Sequence, residues 1–126
     1  MKKYQQKIGK LGEVLAIKFL KAKNYQILDK NIYFRSGEID ILAKFEEKIV
    51  FFEVKTRTTT NFGFPEESLN RKKLAKISQT INNYLNEHPE IIDWQADCLS
   101  INLDFSKKKA KIYHLKNLDF SDYHPY

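Results

Sequence analysis

Two apolar segments, residues 37–43 and 49–57, constrain the fold most strongly, because each reads as a buried β-strand that nevertheless contains charged side chains. The charged residues are Glu38 and Asp40 in the first segment, and Glu53, Lys55 and Arg57 in the second. An ionised carboxylate that leaves water loses several kcal/mol of hydration unless it is paired or bound to a metal. Three acids and a lysine at nearly the same place therefore need a compensating charge, and a metal ion is the simplest source of it.

The size and charge of the chain allow one domain with a polyanionic partner. Its 126 residues suit a single domain, residues 1–126, with one core of ordinary size. The formal net charge is +6, and only three of the 22 basic residues are arginines. This excess favours nucleic acid as a partner, although a lysine-rich, soluble surface would explain it equally well.

Cysteine usage and hydropathy indicate a soluble protein of the cytoplasm. Cys98 is the only cysteine, which excludes an intramolecular disulfide and a cysteine-based zinc cluster and fits a reducing compartment. The basic first residues are not followed by the apolar core of a signal peptide, and no apolar run approaches the roughly 20 residues of a membrane span. We therefore expect no membrane association.

The hydrophobic periodicity predicts an α/β domain with a mixed sheet. Apolar residues at Ile8, Leu11, Leu15 and Phe19 predict an amphipathic helix over about residues 5–23. The order of the remaining elements is three strands, a helix that ends at His88-Pro89, and two more strands, which is typical of this class. The predicted ranges are strands 25–34, 38–44 and 48–56, an exposed loop 57–67, a helix of about 69–86 with Ser68 as N-cap, strands 96–103 and 110–115, and a tail of no clear pattern from about 117.

Two glycines in the first predicted helix are unusual. Gly9 and Gly12 each weaken a helix by about 1 kcal/mol relative to alanine. They predict either a ragged helix start or a backbone that another element approaches closely.

The second and third predicted strands form a hairpin that brings the charged residues together. A two-residue and a four-residue loop give the same register, with Asp40 opposite Glu53 and Glu38 opposite Lys55. The Cβ atoms of opposed residues are about 4.5 to 5.5 Å apart, and two like charges at that distance destabilise a sheet unless a cation lies between them. The hairpin therefore predicts a cation site at Asp40 and Glu53.

Oxygen ligands without a nearby histidine or cysteine favour Mg²⁺ or Mn²⁺. Lys55 would lie beside the metal, where it could orient or help to deprotonate a water and stabilise charge on a phosphate. The alternative is a solvated face on which Glu38 and Lys55 form an ordinary ion pair. Leu42 and Phe51 share that face with the acids, so it is not simply polar.

The motifs resemble those of the PD-(D/E)XK nuclease superfamily, especially the archaeal Holliday junction resolvase branch and, most closely, the YraN family of predicted endonucleases. The resemblance covers most of the chain, from the first helix to about residue 103, and the two strand motifs together make it specific. It implies a restriction-endonuclease-like three-layer α/β domain, in which helices flank a central mixed β-sheet. The matching motifs are Gly9-x-x-Gly12-Glu13, the segments 37–43 and 52–57, and Phe62-Gly63 with Pro65-Glu66-Glu67 in the following loop.

The resemblance also implies a role for each matched residue. Asp40 and Glu53 would be metal ligands, the backbone carbonyl of Val54 would complete the coordination, and Lys55 would be the catalytic lysine. Glu13 would bind the metal through water; its alternative is a solvent-facing acid in the first turns of a helix, where acids are favoured.

Basic residues outside the acidic set are implied to bind nucleic acid. Arg57 and Lys73 match basic positions suited to phosphate contacts. Glu38 is as well suited to an ion pair with Lys55 or Arg57 as to metal contact. Asp97 follows Gln95-Ala96 where the family often has Arg-Phe, and we expect Asp97 to hold a nearby loop rather than to join the site.

The resemblance implies a metal-dependent DNA endonuclease, resolvase-like, that uses Mg²⁺ or Mn²⁺ on DNA, including branched DNA. A homodimer would present two active sites to a symmetric junction, but no interface can be read from the sequence. The alternative function is that of a non-catalytic nuclease-fold protein that binds nucleic acid or assists repair, because a fold does not establish an activity.

Overall fold

The computed structural model describes residues 2–58 and 70–120 and contains the elements in the predicted order. Part of the predicted loop, with its Phe62-Gly63 and Pro65-Glu66-Glu67 motifs, lies outside the described residues, as do Ser68 and the last six residues. No helix within the described ranges is long and apolar enough to cross a bilayer. The elements are α1 (Lys2–Ala22), β1 (Gln26–Phe34), β2 (Gly37–Phe45), β3 (Lys48–Arg57), α2 (Arg71–Glu87), β4 (Trp94–Asp104) and β5 (Lys109–Leu115).

The five strands form one mixed sheet in the order β1-β2-β3-β4-β5. Antiparallel pairing joins β1 to β2, β2 to β3 and β4 to β5. The central pair β3–β4 is parallel, which requires a crossover connection, and α2 lies within that connection. This topology confirms the predicted α/β class and the mixed sheet.

Helices cover both faces of the sheet because alternate residues of the central strands point to different cores. Ile41 and Phe52 belong to one core together with Leu20 of α1. Leu42 and Phe51 belong to the other together with apolar residues of α2. The result is the three-layer, restriction-endonuclease-like arrangement that the motifs predict, and it explains why β2 and β3 read as nearly continuous apolar runs.

Helix α1 packs against the sheet through small residues. Gly12 is buried, and a Cβ atom at this position would overlap the side chain of Thr56 in β3. The close approach predicted from the two glycines is therefore present at Gly12, whereas a Cβ at Gly9 would meet no atom within 4 Å. The expectation that Leu11 is on the buried face is wrong, because the helix is rotated to bring Gly12 towards β3 and Leu11 is exposed.

The start of α2 differs from the prediction. Asn70, not Ser68, is its N-cap, and the side-chain oxygen of Asn70 accepts a hydrogen bond from the backbone nitrogen of Lys73 at 2.9 Å. The helix ends at His88 as predicted. Asparagine satisfies an otherwise unpaired donor of the first turn as well as serine does, so the two positions cannot be ranked from residue type alone.

The end of β5 is fastened to β4 by Asp97, which is completely buried. Its carboxylate accepts hydrogen bonds from the Nε2 of His114 at 2.7 Å, from the side chain of Gln95 at 2.9 Å and from the backbone nitrogen of Asn117 at 3.0 Å. Asp97 therefore holds the segment after β5, as predicted, and is not among the residues that line the acidic cleft described below.

Candidate active site

The acidic residues meet where β2 separates from β3. The antiparallel ladder between these strands runs from Phe45–Lys48 to Ile41–Phe52, which confirms the predicted hairpin register over this length. Before Ile41, β2 continues to pair with β1, including at Tyr33–Glu38. A gap therefore opens between β2 and β3 at the next pair of residues, which are Asp40 and Glu53.

The side chain of Asp40 lies in this gap. It accepts the hydrogen bond that a backbone carbonyl of β2 would accept in a continuous ladder. Its Oδ2 accepts a hydrogen bond from the backbone nitrogen of Val54 at 2.7 Å, and the residue is only 7% exposed. Ile39 and Leu42 are three residues apart yet belong to the same core, so the strict alternation of β2 is interrupted between them. This irregularity lets a charged side chain lie next to the neighbouring backbone.

Glu53 and Lys55 lie together on β3, as expected for residues two apart on a strand. The Nζ of Lys55 is 3.2 Å from Oε1 of Glu53, and their side chains are 28% and 16% exposed. The register predicted Glu38 opposite Lys55, but the ion pair of Lys55 is with Glu53. Glu38 instead lies directly opposite Tyr33 in the ladder between β1 and β2.

The buried Asp40 and the half-buried Glu53 both have raised pKa values. Burial, and then the charge of Glu53, raise the pKa of Asp40 to about 8, although the hydrogen bond from Val54 acts in the opposite direction. Burial also raises the pKa of Glu53, against the attraction of Lys55. The site therefore disfavours two negative charges at neutral pH, which is the conflict that the hairpin register predicts.

The pKa values of Lys55 and Lys73 are shifted in opposite directions. Burial acts to lower the pKa of Lys55, but the charge and hydrogen bond of Glu53 outweigh it and leave that pKa raised. The charge of Lys55 lowers the pKa of the exposed Lys73 on α2. Lys55 consequently remains an ammonium group at neutral pH.

A cleft of about 600 Å³ opens over these residues between α1 and the sheet. We refer to it as the acidic cleft, because the described residues that line it include four acids and two basic residues. Glu13 lines it from α1, so the structure brings it to the same cleft as Asp40 and Glu53; Arg57 lines it from the end of β3. Its lining residues are Tyr4, Gln5, Ile8, Gly9, Glu13, Glu38, Asp40, Glu53, Val54, Lys55, Thr56, Arg57 and Thr58.

A smaller recess of about 170 Å³ lies on the α2 side of Glu53 and Lys55, which line both cavities. Lys73 lines this recess and is therefore close to the predicted site, as expected. Lys76 lines it as well and was not among the residues predicted from the sequence. The sequence could have indicated Lys76, because it lies three residues after Lys73 and residues three apart are neighbours on a helix surface.

The donor set suits a hard divalent cation only in part. Asp40 and Glu53 provide two carboxylates that disfavour joint ionisation, and a cation between them would remove that conflict. Within residues 2–58 and 70–120, no group of three or more His, Cys, Asp or Glu side chains has the arrangement of a metal site. Two carboxylates nevertheless fit Mg²⁺, which is commonly held by one or two carboxylates with water and substrate phosphate in the other positions.

Comparison with known proteins identifies relatives over nearly the whole chain. The model of the uncharacterised protein family UPF0102 matches residues 12–105. A UPF0102 protein from Alkaliphilus oremlandii is 45% identical over 113 residues, which cover 88% of this chain and 96% of the relative. UPF0102 proteins from Clostridium perfringens and Flavobacterium johnsoniae are 39% and 34% identical; each alignment covers 93% of this chain, with 97% and 94% of the respective relative.

Proposed function

We propose that this chain, which belongs to the uncharacterised protein family UPF0102 (the YraN family), is a metal-dependent DNA endonuclease of the resolvase-like type. It would hydrolyse phosphodiester bonds. The observation that carries the proposal is the meeting of Asp40, Glu53 and Lys55 at the point where β2 leaves β3. Two partly desolvated acids beside a lysine form an arrangement that costs stability and is explained by the chemistry it permits.

Asp40 and Glu53 are the residues that would hold Mg²⁺ or Mn²⁺, with the backbone carbonyl of Val54 as a further donor and Glu13 acting through water. When bound, the cation supplies Lewis-acid polarisation of the phosphate oxygens. The chain itself supplies a recessed floor that excludes water from most of the Asp40 carboxylate.

Lys55 would act as an electrostatic group rather than as a base. Its raised pKa keeps the proton on Nζ at neutral pH, so the ammonium would stabilise the negative charge that develops on the phosphate. The ion pair with Glu53 fixes where that charge lies. Arg57 and Lys73 would contact the phosphates on either side of the floor and so position the strand.

The direct test is cleavage of four-way junctions, flapped duplexes and linear duplexes in Mg²⁺ or Mn²⁺ by the wild type, Asp40→Asn and Lys55→Ala. We expect both substitutions to abolish cleavage. Lys72→Ala, at an exposed position that does not line either cavity, is the matched control and should leave cleavage unchanged. Cleavage that survives in both site variants would contradict the assignment of the site.

A non-catalytic DNA-binding or repair-accessory role is the second candidate. It is favoured by the absence of a three-ligand acidic group among the described residues. Calorimetric titration with Mn²⁺ separates the two, because the endonuclease requires a heat of binding that is lost in Asp40→Asn. DNA binding without metal binding and without cleavage on any substrate would support the accessory role.

A further inference from the structure

Two exposed tyrosines lie beside the acidic cleft and have no role in the chemistry proposed above. Tyr4 of α1 lines the cleft and is 55% exposed. Tyr33 of β1 is 73% exposed and lies directly opposite Glu38, which also lines the cleft. The second ring therefore lies next to the cleft while much of its surface remains free.

The acids of the cleft are recessed. Asp40 is almost completely buried, and the cleft of about 600 Å³ has the size of a small-ligand pocket. A single strand, whose bases are not held in a helix, can bring a phosphate to these acids and place its bases against neighbouring side chains.

The charge of the cleft weakens ionic contact with phosphates, which is the usual source of affinity for DNA. Among the described residues of its walls, four acids face two basic residues, so phosphates gain little there from counterion release even though the whole chain is positively charged. Stacking of bases on aromatic rings does not depend on charge and tolerates any base sequence. Tyr4 and Tyr33 supply rings of this kind next to the cleft.

We propose that Tyr4 and Tyr33 stack against unpaired bases at the acidic cleft, which makes the substrate class DNA with a single-stranded segment, such as a flap, an overhang or an opened branch. This inference rests on the proposed function, because it concerns the same site. It assigns to the tyrosines the selection of unpaired strands, and to Arg57 and Lys73 the contacts with phosphates.

The test measures equilibrium binding of a fluorescein-labelled oligothymidylate and of a blunt duplex of equal length, by anisotropy in EDTA so that no cleavage occurs. We expect Tyr4→Ala and Tyr33→Ala each to weaken oligothymidylate binding about tenfold, as for loss of one base stack, with little effect on the duplex. Tyr4→Phe and Tyr33→Phe should retain binding, because they keep the ring. Tyr113→Ala, at an exposed tyrosine of β5 outside the cleft, is the matched control.

Salt dependence distinguishes stacking from ionic contact. The alanine variants should weaken binding by the same factor at every salt concentration, whereas Lys73→Gln should reduce the slope of log affinity against log salt. Oligothymidylate affinity that is unchanged in both alanine variants, or lost equally in the phenylalanine variants, would overturn the inference. Neither result bears on whether Asp40 is required for cleavage, so the endonuclease proposal can fail or succeed separately.

Discussion

Replacing Asp40 with asparagine should stabilise the metal-free protein. Burial and the neighbouring Glu53 raise the pKa of Asp40 from 3.8 to about 8, so at pH 7 the folded chain binds a proton that the unfolded chain has released. Uptake of that proton costs up to about 4 kcal/mol at roughly 1.4 kcal/mol per pH unit. Asparagine is neutral in both states and its side-chain oxygen can still accept the hydrogen bond from Val54.

The sign of the effect depends on pH. Because the folded-state pKa is raised, the stability of the wild type falls as pH increases from about 4 to about 8. The stability of Asp40→Asn should not fall in this way, because asparagine does not titrate in this pH range. The stability advantage of the variant should therefore be near zero at about pH 4 and largest at about pH 8 and above.

Chemical denaturation in EDTA, followed by circular dichroism across this pH range, measures the difference directly. Asp93→Asn removes a charge from an exposed aspartate and should change stability little at any pH. An Asp40→Asn variant that is no more stable than the wild type at pH 8 would contradict this prediction. Addition of Mn²⁺ should then raise the melting temperature of the wild type but not that of Asp40→Asn, because a ligand that binds only the folded state stabilises it.

Three further outcomes follow from the packing. Gly12→Ala should lower the free energy of unfolding by about 1–3 kcal/mol, because the added methyl group overlaps Thr56. Gly9→Ala adds a methyl group in open space and should be neutral or stabilising. Equal denaturation midpoints for the two variants would contradict this prediction. Burial raises the pKa of Cys98 to about 12, so a thiol reagent at pH 8 should modify it only after unfolding, which absorbance detects. Asn70→Ala should cost about 1 kcal/mol in thermal unfolding through loss of the α2 cap, a loss that Asn70→Ser should largely avoid.

The register between β2 and β3 could be predicted from the sequence because the centre of the hairpin loop determines which residues lie opposite each other. Any even hairpin loop centred between residues 46 and 47 places Asp40 next to Glu53, and the observed pairs agree. The strict alternation of side chains along β2 does not hold where β2 separates from β3. The prediction assumed that β2 pairs with both β1 and β3 over its whole length. The register also left open an ion pair between Lys55 and Glu38 on the opposite strand, whereas the ion pair of Lys55 forms with Glu53.

Helix orientation was less predictable because apolar residues on α1 outnumber the positions that face the sheet. Counting apolar residues places Leu11 in the core, but the distance between helix and strand is set by Gly12. Tyr4 and Tyr33 were not identified for a related reason. An aromatic residue in a strand or helix reads as core, and only the structure reveals that these two are exposed beside the cleft.

The hydrogen bond between Asp40 and Val54 joins the architecture of the sheet to the chemistry of the site. Where β2 leaves β3, the backbone nitrogen of Val54 would lose its partner, and one carboxylate oxygen takes that place. The same residue thus links β2 to β3 by a hydrogen bond and provides the first acid of the candidate site. Shortening this side chain would leave the backbone nitrogen of Val54 without its acceptor as well as remove a carboxylate from the candidate site, so the position admits only aspartate or its neutral isostere without local rearrangement.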